Sequence, residues 1–202
     1  MSETRNPTYF VGDLRRSILD SAAEVIARDG PAAVSLREIA RRIGVSHAAP
    51  AHHFRDKTGL FTALAADGWA RFVAATTEAR DGADSPVAKL AATGVAYVVF
   101  ARDNPGYFRV MFRHDLVDAS DPAFAEGSKA GFDVLSGVVD ACRALGWGRA
   151  EEPWVLITSA WSLVHGLADL ASNGSLGFIS GDRPADEIAR YVTDAFAAAF
   201  TT

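Results

Sequence analysis

Apolar residues recur at three- and four-residue spacing along most of this chain, the period of a helix buried on one side. Leu14, Ile18, Ala22, Val25 and Ile26 form the first stripe, which predicts a helix capped by Asp13 and running to about Arg28. Asp29-Gly30-Pro31 ends it. Residues 1–11 are polar and read as a loose lead-in. Leu36, Ile39, Ala40 and Ile43 make a second, short stripe. Leu60, Phe61, Leu64, Trp69, Phe72 and Val73 lie in a long helix over about 57–80. Ser85-Pro86 supplies a cap and a first-turn proline for a helix to about Arg102, carrying Leu90, Val95, Val98, Val99 and Phe100. A short aromatic helix follows at 107–112, then a loop at 114–121. Helices are predicted from Pro122 to about Leu145, over 153–172, and from Pro184 to Phe200, the last with Ile188, Val192, Ala195, Phe196 and Ala199 on one stripe. The stretch 173–182 is glycine-rich loop. Nowhere do polar and apolar residues alternate long enough for a strand, so the fold class is all-α.

Ser35 to Phe54, SLREIARRIGVSHAAPAHHF, departs from this run of long helices. Ser35 followed by Glu38 is a capping box, with the serine oxygen taking one orphan N–H and the glutamate reaching back to the cap. Gly44 stands where a helix stops in a left-handed conformation. Ser46 is placed to cap a second short helix carrying His47, Ala48, Ala49, His52 and His53. Cap, short amphipathic helix, glycine stop and second short helix is the layout of a helix-turn-helix DNA reader. Alanines at 48, 49 and 51 let such a helix approach a groove about 12 Å wide, and His47 can donate to a purine edge. Arg37, Arg41, Arg42 and Lys57 are the natural phosphate donors; the plainer alternative is that they solvate a helix face.

The charge distribution agrees with a DNA-binding head. The net charge is −5, but residues 1–60 hold nine Lys/Arg against seven Asp/Glu, while 61–202 hold eleven against eighteen. No apolar run comes near the roughly 18 residues that span a membrane, and the N-terminus lacks a secretory layout. With one cysteine, Cys142, this fits a cytoplasmic protein. No spacing for a metal site, phosphate loop or nucleophile elbow occurs; adjacent His114 and Asp115 on a loop rarely face one site. No cofactor, no metal and no enzymatic activity are expected.

The segment VSLREIARRIGVSHAAPAHHFRDKTGLF, Val34 to Phe61, resembles the signature of TetR-type transcriptional regulators. TSAWSLVHGLADL, 158–170, resembles the Trp-His-Gly motif of one subgroup. The resemblance implies an N-terminal three-helix helix-turn-helix domain, 1–56, and a larger helical ligand-binding and dimerisation domain, 57–202. It implies a cytoplasmic homodimer, without membrane contact, that binds a palindromic operator in double-stranded DNA. A small molecule entering the body releases the DNA. Matched residue by residue, the DNA-binding set is Ser35, Arg37, Arg41, Ser46, His47, Ala48, Ala49, His52, His53 and Lys57. One departure is Ala51, where the family places a tyrosine; a phosphate hydrogen bond is lost there.

The body is rich in aromatics. For any one of them a core role is the ordinary reading, but as a set they suit an apolar ligand cavity. The expected lining is Tyr97, Phe100, Phe108, Met111, Phe112, Trp161 and His165. His165 is either a hydrogen-bonded structural histidine, the commoner use, or part of that lining. The expected dimer face is Trp154, Ala160, Leu167, Ala171, Ile188, Val192 and Phe196, where small residues permit close helix packing. The leading reading is a dimeric repressor released by an apolar or aromatic small molecule. The alternatives are a small all-helical ligand carrier or enzyme without DNA binding, and a helical adaptor.

Overall fold

The computed structural model describes residues 11–200, with side chains from residue 14. Among them the chain is helical with no strand: α1 Val11–Asp29, a 3-10 turn Pro31–Ala33, α2 Leu36–Ile43, α3 Ala49–Phe54, α4 Lys57–Asp81, α5 Pro86–Asp103, α6 Pro105–Met111, α7 Pro122–Ala144, α8 Pro153–Ser172, α9 Gly177–Ser180 and α10 Ala185–Ala199. The all-α expectation holds. Of the expected lead-in at 1–11, residues 1–10 lie outside the described residues, and Val11 is already helical. α1 already begins at Val11, so Asp13 sits inside the helix rather than capping it.

The chain packs as two compact units, neither continuous in sequence. The first comprises residues up to Gly68 together with Asn104–Ala125; the second comprises Trp69–Asp103 and the chain from Glu126 onward. These units do not coincide with a division at 56/57, because α6 returns to dock on α1. Gly106 makes that docking possible: a Cβ there would lie 2.1 Å from the carbonyl oxygen of Ala23. The Tyr107 hydroxyl donates to Asp20 at 3.2 Å. Arg109 donates to the carbonyls of Ile26 and Ala27, both at 2.9 Å; the first also takes the Gly30 N–H, while the residue four beyond the second is Pro31, which has no N–H to give. Ile18, Leu19, Ile26, Ile39, Leu60, Leu64, Val110 and Met111 are the largest fully buried side chains of this unit.

The second unit is built on α5, which packs against α8 and α10. Gly94 sets the spacing to α10, since a Cβ there would lie 2.7 Å from the Thr193 methyl. Leu90, Val138, Val139, Cys142, Trp147 and Leu156 form its buried cluster, with Phe196 and Phe200 packed against it. The indole N–H of Trp147 donates to the Ala197 carbonyl at 2.7 Å. Burial pushes the Cys142 thiol up to about 11, as for a small core residue.

One helix passes a test of length and composition for a membrane span, as the core helix of a soluble protein also can. The 20-residue helix α8 is long and apolar enough, by length and composition, to cross a bilayer. The sequence hid this because Thr158, Ser159, Ser162 and His165 punctuate its apolar residues without adding charge; Asp169 is its one acidic group.

Candidate nucleic-acid interface

The expected reading surface is assembled from α2, the turn after it, and α3, all in the first unit. Ser35 caps α2 as expected, its hydroxyl oxygen accepting from the Glu38 N–H at 3.5 Å. The second half of the capping box is different. The Glu38 carboxylate is gripped by Arg41, with N–O distances of 2.6 and 2.8 Å. That guanidinium holds the carboxyl below the usual range for a glutamate. Helical geometry explains the choice: three residues apart, the two side chains are neighbours on the helix surface, and a fork-shaped cation outcompetes one backbone N–H.

Gly44 stops α2 with φ 73°, in the left-handed region. Its N–H reaches the Arg41 carbonyl at 3.3 Å and the Val45 N–H reaches that of Ala40 at 3.0 Å, the paired closure that lets a helix end in a sharp turn. Ser46 does not cap α3 through its side chain. The cap position is Ala48, with no side-chain bond, and the Ala49 N–H is taken by the Ser46 carbonyl. Pro50, in the first turn of α3, and Phe54, at its end, are the buried residues that seat the helix. Proline is suited to that place, because first-turn N–H groups have no helical partner. The opposite face is open: Ser46, His47, Ala48, Ala51 and His52 are all exposed, while Ala49 and His53 are half-buried. His53 lies against the Phe54 ring, with centroids 6.1 Å apart.

α3 joins α4 through a tight turn centred on Arg55, with φ 65° and ψ −59°. The Asp56 N–H reaches back to the Phe54 carbonyl at 2.7 Å, closing a three-residue γ-turn, a strained geometry for a non-glycine residue. Asp56 then caps α4 by accepting the Gly59 N–H at 2.8 Å. That bond, with Arg55, lowers the carboxyl below the usual aspartate range.

The cations expected to meet phosphate are in unequal states. Arg37 is exposed and makes no ion pair among the described residues. Arg41 is paired with Glu38. Arg42 is paired with Glu24 of α1 at 2.9 Å. Lys57 donates to the Ala32 carbonyl at 3.2 Å and lies 5.4 Å from the Phe61 ring centroid. Ser35, Arg37, Glu38, Arg41 and His47 together line one shallow concavity of about 260 Å³. Glu38 is the member of this surface that sequence reasoning assigned only to a cap; the three-residue spacing to Arg41 was the signal for the other role.

The seven residues expected around a ligand divide between the units. Phe108, Met111 and Phe112 belong to the first. Met111 is fully buried and closes on Gly68, where a Cβ would lie 2.8 Å from its sulfur. Phe108 and Phe112 meet edge to face at 5.3 Å. Tyr97, Phe100, Trp161 and His165 belong to the second. The Trp161 indole N–H donates to the Tyr97 hydroxyl at 3.4 Å, and that hydroxyl lies 2.7 Å from His165 Nδ1. The imidazole tautomer sets which of Tyr97 and His165 donates in that bond. Burial lowers the His165 pKa and raises that of Tyr97. Tyr97 and Phe100 each meet Phe72 edge to face, at 5.1 and 5.4 Å.

The residues expected at the dimer face differ in exposure within the single chain. Ala160, Leu167 and Ile188 are buried within the chain itself, and Phe196 meets Trp147 edge to face at 6.0 Å. Val192 and Ala171 are half-buried. Of that set Trp154 alone is widely exposed, at 67%. Trp154, Thr158 and Trp161 share the outer face of α8, and Tyr191, 67% exposed, stands on α10. Among the described residues no group of three or more His, Cys, Asp or Glu is placed to hold a metal ion. Asp115, weighed beside His114, is taken up by Arg113 at 2.6 Å.

Comparison with known proteins places this geometry. A family model described as bacterial regulatory proteins, tetR family, matches residues 18–64. A second, described as Tetracyclin repressor-like, C-terminal domain, matches residues 90–196. The HTH-type transcriptional repressor Rv1474c of Mycobacterium tuberculosis is 43% identical over 60 residues, which cover 30% of this chain and 32% of that repressor. The chain thus spans about a third of the curated relative it matches. A solved structure of a protein with unknown function from Rhodococcus sp. RHA1 is 31% identical, with a TM-score of 0.81, covering 98% of this chain and 100% of that one. A bacterial regulatory protein in the tetR family from Rhodococcus RHA1 shares the fold at 23% identity and a TM-score of 0.73, covering 93% of this chain and 96% of that one.

Proposed function

Because this chain belongs to the TetR family of bacterial regulatory proteins, we propose that it is a cytoplasmic DNA-binding transcriptional regulator, and specifically a repressor. The observation that carries the reading is the seating of α3. Pro50 and Phe54 hold it from below, and Ser46, His47, Ala48, Ala51 and His52 face outward, all exposed among the described residues. A helix so mounted fits a major groove, with small side chains allowing close approach and His47 able to donate to a base edge. Ser35, Arg37, His52, His53 and Lys57 are the proposed phosphate and cap contacts.

The working unit is a homodimer, since a palindromic operator needs a two-fold axis. The exposed Trp154 and Trp161 on α8 and Tyr191 on α10 support an interface through these helices. A small apolar or aromatic effector is proposed to act in the second unit around Tyr97, Phe100, Trp161 and His165. There the hydroxyl–imidazole pair offers one polar anchor among rings.

The test is selection of random-sequence duplexes by the full-length protein, followed by fluorescence anisotropy on the winner between 50 and 200 mM salt. The expected result is a palindrome bound by two subunits, with affinity falling about a thousandfold or more over that range as the entropy gained by releasing condensed counterions shrinks. Absence of enrichment together with salt-independent binding overturns the reading.

A further inference from the structure

The reading face carries a carboxylate. Glu38 shares its concavity with Ser35, Arg37, Arg41 and His47, and its side chain is 47% exposed. A negative charge there opposes every phosphate alike and rewards a duplex that presents a hydrogen-bond donor to it, as cytosine N4 or adenine N6 does in the major groove. Its own strand of helix supplies the compensation. Arg41 binds both carboxylate oxygens, at 2.6 and 2.8 Å, and a guanidinium occupied in a two-pronged pair has spent the geometry that grips a phosphate. Arg42 is likewise committed, to Glu24. Of the three α2 arginines, Arg37 is left with no ion pair among the described residues.

We propose that Glu38 is a specificity-determining residue of the DNA-reading face, and that Arg41 is a positioning residue acting through it rather than a phosphate contact. This rests on the DNA-binding reading above. Glu38 lowers the affinity that comes from backbone charge alone, so that sequence contacts decide where the protein stays. Arg41 holds the carboxylate in one place and prevents it from repelling the correct site outright.

The experiment compares wild type, Glu38→Gln, Arg41→Gln and the double variant as full-length proteins. Anisotropy is read on the selected duplex and on a scrambled duplex of equal length, from 50 to 200 mM salt. Glutamine keeps the length and first-turn suitability of glutamate, and thermal melts confirm equal folding. Glu38→Gln frees Arg41 in each subunit, so its log K against log salt slope steepens by about 1.8 for the dimer, one phosphate per half-site. Its affinity for scrambled DNA rises at least tenfold at 50 mM, and the operator-to-scrambled ratio falls. Arg41→Gln weakens both duplexes, and the double variant recovers affinity relative to it. An unchanged slope and ratio in Glu38→Gln overturns the proposal. So does a double variant no tighter than Arg41→Gln, which makes Arg41 an ordinary phosphate donor. If wild type binds neither duplex, the DNA-binding reading itself has failed, and the proposal falls with it.

Discussion

Substituting alanine for Gly59 sets two effects of opposite sign against each other, and the structure decides between them. Gly59 lies in the first turn of α4 with an ordinary helical backbone, so propensity alone favours alanine by at most about 1 kcal/mol. Its would-be Cβ, however, lies 2.0 Å from the Phe54 carbonyl oxygen and 3.1 Å from the Phe54 carbonyl carbon, where ordinary contact begins near 3.4 Å. The obstacle is backbone, which cannot rotate aside. The end of α3 must withdraw by more than an ångström, against the γ-turn at Arg55 and the seat of the 5%-exposed Phe54 ring. Overpacking of this kind costs about 1–3 kcal/mol and sometimes more, so the net change is a loss of about 2 kcal/mol. For a chain of this size that lowers Tm by roughly 4–8 °C. Gly137 in α7 is the internal control: it is exposed, and a Cβ there meets nothing within 4 Å. Gly137→Ala therefore raises Tm by roughly 1–4 °C, through the entropy of the unfolded chain and helix propensity. Both variants are melted by circular dichroism at one protein concentration, because association shifts Tm. If Gly59→Ala rises in Tm alongside Gly137→Ala, the steric reasoning is refuted.

Arg37→Ala and His47→Ala, both on exposed side chains, are expected to weaken operator binding with Tm unchanged; a gel-shift titration that shows wild-type affinity removes them from the reading surface. Gly44→Ala places a Cβ at φ 73° and costs about 1–2 kcal/mol, read as a fall in urea midpoint with an unaltered m-value. Burial lowers the His165 pKa, so the unfolded chain binds more protons than the folded one between the depressed value and about 6.5. Stability from this residue is full above that window and is lost on acidification through it. Wild type should lose more Tm between pH 7.5 and 5.5 than His165→Gln does, and equal losses exclude His165 as the source. Trp154→Glu on the exposed face of α8 is expected to yield monomers in sedimentation velocity, while a dimer of wild-type strength moves the interface elsewhere.

What the sequence revealed follows from how local each determinant is. Ser35, Gly44 and Ser85 act within three residues of themselves, and the structure places all three at helix ends in the expected roles. The Ser46 cap failed for a reason that is not local. The start of α3 is set by burial of Pro50 and Phe54, which slides the first helical residue to Ala49. Glu38 had two available partners at equal reach, and the choice of Arg41 over the cap depends on side-chain geometry that spacing does not carry. The stripe of Ile188, Val192 and Phe196 was read correctly as a stripe. Periodicity says that residues share a face but not what faces them, and here much of the partner is the chain's own Trp147 cluster. The return of α6 to α1 depends on Gly106 meeting Ala23 across more than eighty residues, a fit that no pattern along the chain announces.

The junction between α3 and α4 leaves almost no slack. Two residues separate the helices; one is wound into a γ-turn, the other is tied to Gly59, and Gly59 itself abuts the last carbonyl of α3. A linkage built this way behaves as a crank rather than a hinge. Any rotation imposed on the first turn of α4 is handed to α3 nearly undiminished, so an angular error of a few degrees there displaces the tip of the short helix without first being absorbed by a pliant loop.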